Sequence, residues 1–153
     1  MTYILWIVII LFTFFMKERI SLFDVVPNFT AFLVYYAGMR KGELEGMFFG
    51  SLIGFVEDSL SGAFLGPNLL SKGIVGYFSS FISGSFFRWT PLLGTIGISV
   101  LTLVDNALVF ASRSFFDRMP ASMKAAVIVT IIQSLVNAPL GLFLKPKDIQ
   151  KTV

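Results

Sequence analysis

The sequence predicts an all-α protein, a polytopic membrane bundle of six transmembrane helices, some short or irregular. Three observations lead there. More than half of the 153 residues are apolar, Phe occurs 18 times, and charged residues make up 14%, well below the roughly 25% of a soluble domain. The apolar residues fall into runs, and subtracting short loops leaves room for about six spans of roughly 17–25 residues each. The basic residues behind the net charge of +3 stand singly at the ends of these runs instead of clustering with exposed aromatics. They read as interfacial anchors, not as a nucleic-acid surface. Residues 1–144 are expected to form a single transmembrane domain and 145–153 a short basic cytoplasmic tail, with no room for a separate soluble domain.

The elements follow in order. Thr2 to Met16 is an apolar run with no basic residue before it and no small-residue cleavage pattern after it, so a retained first helix is expected and not a signal peptide. Lys17, Glu18 and Arg19 mark its far interface. A second span runs from Leu22 to Met39, with Asp24, Pro27 and Asn28 near its start predicting buried irregular backbone. Arg40 and Lys41 close it. The third, from about Gly42 to Glu57, would rise only about 24 Å against a bilayer core of about 30 Å. A fourth is expected from Asn68 to Phe87, rich in Gly and Ser and so pressed against other helices. Arg88 and Trp89 anchor its end, Pro91 opens a fifth span to about Ala111, and a sixth runs from about Met123 to Leu144, broken late by Asn137 and Pro139.

Within this frame three groups of residues stand out. Gly42, Gly46, Gly50 and Gly54 recur every fourth position, so on a helix they form one ridge without side chains, a packing seam within the monomer or towards a second copy or a partner. Glu57 and Asp58 end the same helix before a turn containing Gly66, Pro67 and Asn68. Carboxylates at a helix C-terminus are mildly unfavourable; either solvent screens the pair or a cation compensates it, and Lys72 is the nearest. Asp105 and Asn106 lie inside the fifth span, where a carboxylate costs roughly 2.5–3.5 kcal/mol to insert. Asp105 is therefore expected to face the bundle interior, with Lys72, Asn106 and Asn137 as its candidate hydrogen-bond donors across a cavity between the last three helices.

The chemistry is narrow. Without Cys or His the chain lacks disulfides, thiol nucleophiles, histidine-bound metals and the commonest general base. Asp24, Glu57, Asp58 and Asp105, with Lys72 and Arg88, form no clustered acidic motif of the kind a metal-assisted lipid-phosphate hydrolase uses. No enzyme activity and no cofactor are expected.

The run Arg40, Lys41, Gly42, Gly46, Gly50, Gly54, Phe55 and Asp58, followed by Ser61, Gly62, Leu65, Gly66, Gly76 and Tyr77, resembles the MreD family of rod shape-determining membrane proteins. The resemblance spans the chain's whole length, although its motif is built mainly of glycines. It implies a non-enzymatic multipass subunit of the bacterial cytoplasmic membrane that serves the elongation machinery and peptidoglycan synthesis. The implied partners are MreC and, within a larger complex, RodA, a class B penicillin-binding transpeptidase and MreB, besides membrane lipids and a possible second copy; no nucleic acid is expected. The family is also similar in fold to the vitamin-binding S subunits of energy-coupling-factor transporters, which supplies an alternative. Six spans place both termini on one side. The basic residues divide evenly between the two faces, and the tail of Lys145, Lys147 and Lys151 selects cytoplasmic termini.

Overall fold

A computed structural model describes residues 26–62, 64–83, 90–116 and 122–144, together with Leu11 and Phe15, both helical. All the regular structure among them is helical. Helix α1 spans Phe29–Lys41, α2 Glu43–Ser61, α3 Pro67–Ser79 with a 3-10 turn over Ser80–Ser83, α4 Pro91–Phe116, and α5 Met123–Asn137 with a 3-10 extension over Ala138–Phe143. Two stretches, Pro91–Phe116 and Met123–Phe143, are long and apolar enough to cross a membrane. The other three are shorter or interrupted by charge. Most of the expected first span, Asp24, Arg88, Trp89 and the basic tail lie outside the described residues.

Each boundary has a local cause, and several differ from expectation. The second span becomes helical only at Phe29, because the Asn28 side chain accepts the Ala31 N–H at 3.1 Å and fixes the helix start there. It stops at Lys41 because Gly42 takes φ +100°, backbone space that favours glycine. Helix α2 continues past Glu57 to Ser61, and Gly62 closes it in the left-handed conformation. Glu57 and Asp58 therefore sit inside its last turns. The fourth element loses α-geometry after Ser79, where the hydroxyls of Ser79 and Ser80 donate to the carbonyls of Gly76 and Tyr77, both at 2.8 Å; such back-bonding competes with the helical ladder. Thr90 and Ser122 cap α4 and α5 through the Leu93 and Ala125 N–H groups. Helix α4 runs five residues beyond the expected Ala111, to Phe116.

Helices α2 and α3 form an antiparallel hairpin at near-backbone distance. A Cβ on Gly46 would lie 2.5 Å from the Gly76 carbonyl oxygen, and Cβ atoms on Gly50 and Gly54 would overlap the carbonyls of Lys72 and Asn68. Positions 46, 50 and 54 thus step down one helix as 76, 72 and 68 step down the other, so one i±4 ridge lies against another. Gly42 does not share this seam. A Cβ there would meet nothing within 4 Å, since its positive φ swings the chain from α1 into α2 before the ridge begins.

The polarity of the molecule is inverted. Val34, Tyr35, Ile53, Val75 and Ile98 form a small apolar core, while Thr30, Asp58, Ser71, Lys72, Thr102, Asp105 and Asn137 are all buried as deeply. The outer face of α2 shows Leu44, Phe48, Leu52 and Phe55, and that of α5 shows Val127, Ile131 and Leu135.

Candidate functional site

The buried polar residues converge on Lys72. Its ammonium lies 2.7 Å from Glu57 Oε2 and 3.3 Å from Asp105 Oδ2, and it donates to Asn68 Oδ1 at 3.4 Å. Asp105 also accepts from Asn28 Nδ2 at 2.6 Å and from the Ser71 hydroxyl. Glu57 accepts from Thr30 Oγ1 at 3.2 Å, so four helices each lend a side chain to one ion cluster. Two carboxylates and an ammonium are costly to desolvate, and such a set persists only where further hydrogen bonds fill the remaining lone pairs. Asn28, Thr30 and Ser71 fill them here.

Asp58 has a separate task. Its carboxylate accepts from the N–H groups of Gly66 (2.9 Å), Asn68 (3.1 Å) and Leu69 (3.1 Å), and from Asn68 Nδ2 at 2.7 Å. These are donors that the start of α3 leaves without helical partners, and Pro67 has no N–H to satisfy. The anion also faces the positive end of the α3 dipole. The corner is therefore not a solvated pair: Asp58 ties the end of α2 to the start of α3, and Glu57 turns inward to Lys72.

Two expected donors to Asp105 lie elsewhere. Asn106 donates to Gln133 Oε1 at 2.7 Å, and Gln133 in turn donates to the Val26 carbonyl at 2.7 Å. Asn137 donates to the Asn28 carbonyl at 3.1 Å and to Thr102 Oγ1 at 3.2 Å. These bonds hold α5 to α4 and to the segment before α1. Helical geometry explains the difference: Asn106 is one residue, or about 100°, around the helix from Asp105, and so faces α5 while Asp105 faces α3.

A cavity of about 180 Å3 opens beside the cluster. It is walled by Glu57, Lys72, Asp105, Asn106, Arg113 and Gln133 among others, so α2 and the segment before α1 border it as well as the last three helices. Sequence reasoning missed Ser71, Thr30, Arg113 and Gln133. Ser71 and Thr30 carry no signal beyond being small and polar, whereas Arg113 and Gln133, each in or beside an apolar run, were visible as polar exceptions. Among the described residues no three His, Cys, Asp or Glu side chains group closely enough to hold a metal ion.

Fold and site together define a class: an all-helical bundle that is polar within and apolar without. No family model, curated protein or solved structure matches the chain.

Proposed function

We propose that the chain is a non-enzymatic, multipass subunit of the bacterial cytoplasmic membrane. Within that class we assign it to the MreD type, a component of the cell-elongation complex that supports peptidoglycan synthesis and rod shape by binding MreC. The observation that carries the reading is the α2–α3 hairpin. Gly46, Gly50, Gly54 and Gly76 form its seam, Asp58 and Gly66 close its corner, and Gly62 ends α2. The motif residues from Gly46 to Tyr77 are thus parts of one structural unit, as a scaffold requires, while Arg40, Lys41 and Gly42 lead into it. The inverted polarity supports the membrane setting, since apolar faces such as Leu44 to Phe55 are at ease only against lipid or another helix.

In this reading six spans cross the bilayer with both termini cytoplasmic, the Arg40 to Glu45 turn inside and the Glu57 to Pro67 corner outside. RodA, a class B penicillin-binding transpeptidase and MreB complete the assembly around MreC. Purification from native membranes tests it: a bitopic protein with a periplasmic domain should accompany the chain. Cysteine introduced at the exposed Ser61 should label from outside; labelling only from the cytoplasmic face would reverse the orientation.

The polar cavity favours a second reading, a vitamin-type substrate-binding S subunit of an energy-coupling-factor transporter. An ATPase module and a bound small molecule in the same purification would select it.

A further inference from the structure

Two cavities of opposite character meet at Asn106. The polar one lies beside the ion cluster of Glu57, Lys72 and Asp105. The second, of about 250 Å3, lies between α4 and α5 and is walled by Leu103, Ala107, Phe110, Ala126, Val127 and Ile131. Asn106 lines both, and its hydrogen bond to Gln133 stands at their boundary. A polar site beside an apolar groove is the shape of an amphiphile, with a place for a head and a place for a chain.

The head is specified by Arg113. Asp105 and Lys72 are engaged within the ion cluster, but the Arg113 Nε is buried with no hydrogen-bond partner among the described residues. An unmade bond of that kind is rare and costly. A planar guanidinium is matched by the oxygens of a phosphate or carboxylate, which it takes in pairs. Arg113 also sits in the last turn of α4, where a long basic side chain near a helix end can reach the headgroup layer.

We propose that the α4–α5 edge of the bundle holds one glycerophospholipid, its phosphate on Arg113 and one acyl chain in the groove. The assignment rests on the membrane reading above. A free phosphate would leave the groove unused, and a neutral diacylglycerol would leave Arg113 unpaired. The polar wall carries two carboxylates, Glu57 and Asp105, and two cations, Lys72 and Arg113. A headgroup of zero net charge keeps that balance in a poorly screened site, so the lipid is a zwitterionic one.

Native mass spectrometry of the detergent-purified protein tests this with four probes: phosphatidylethanolamine, phosphatidylglycerol and diacylglycerol, all with oleoyl chains, and inorganic phosphate. Phosphatidylethanolamine should be retained at least tenfold better than diacylglycerol. Arg113→Gln should abolish that preference without shifting the melting temperature, Arg113→Lys should keep part of it, and Ala126→Trp should weaken retention of both lipids by filling the groove. Equal retention of diacylglycerol, or an unchanged preference in Arg113→Gln, would overturn the proposal. Phosphatidylglycerol bound as tightly as phosphatidylethanolamine would overturn its zwitterionic part, and inorganic phosphate bound as tightly would overturn the lipid itself. Carbonate extraction separates the two levels. A chain released from washed membranes sinks the membrane reading, whereas one retained there without lipid preference sinks only this inference.

Discussion

The α2–α3 hairpin and the α4–α5 pair join helices by opposite means. In the hairpin, glycines bring backbone against backbone, so the seam is held by close packing over its whole length. Between α4 and the Met123–Asn137 part of α5 the contact is fastened by the Asn106–Gln133, Ser134–Ser99 and Asn137–Thr102 hydrogen bonds, with the apolar groove left open beside them, and backbones close up at Gly141 of the 3-10 extension, against Gly94. The first design tolerates no added atom, while the second tolerates volume and depends on individual bonds. Lys72 links the two regions, since it projects from the hairpin and pairs with Asp105 of α4.

Breaking that link should have the largest effect. Lys72→Met leaves Glu57 and Asp105 facing each other without a cation, and removal of one member of a buried ion set costs about 3–5 kcal/mol. Thermal unfolding in detergent reads this directly, and a second change, Asp105→Asn, should recover part of the loss by removing one of the two stranded charges. A Lys72→Met protein as stable as the native one would mean that the cluster is not closed as described.

Next comes the seam. Gly50→Leu places a side chain on the Lys72 carbonyl, a backbone atom that cannot step aside, and should cost about 1–3 kcal/mol or abolish folding. Phe48→Leu on the exposed face of the same helix should stay within about 0.5 kcal/mol. Equal melting temperatures for the two variants would remove the distinction between packed ridge and outer face.

A smaller loss is expected at the corner. Asp58→Ala strips the start of α3 of its acceptor, a capping loss of about 1–2 kcal/mol. Hydrogen exchange should rise first at the Asn68 and Leu69 amides. Unchanged protection there would show that those N–H groups have another acceptor.

The smallest effect sharpens the comparison. Asn106→Leu removes the bond to Gln133, and hydrogen bonds between helices in a bilayer average about 0.6 kcal/mol. The α4–α5 pair should therefore survive it, with only a slight fall in melting temperature. A loss as large as that of Gly50→Leu would place the two seams in one class.

The spacing of the glycines and the absence of Cys and His were decided along the chain, because a four-residue repeat is a helical face wherever the helix is placed. The helical class and the starts at Pro91 and Met123 were legible for the same reason, since caps and Pro act within a turn of where they stand. So was the oddity of Asp105, because a carboxylate in an apolar run needs a partner whatever the fold. Of its partners Lys72 was legible, as a cation in a neighbouring apolar run, but Asn28 and Ser71 were not. Asn28 and Asp105 are separated by 77 positions, and Ser71 looks like any other small residue until α3 is laid against α4. The destination of Gly42, outside the ridge it extends in sequence, also waited on the backbone, because one positive φ redirects the chain without altering the spacing. Local periodicity and capping are properties of neighbouring residues and can be read from order alone; which polar groups satisfy one another in the interior depends on the angle and depth at which distant helices cross, and only the assembled bundle sets those.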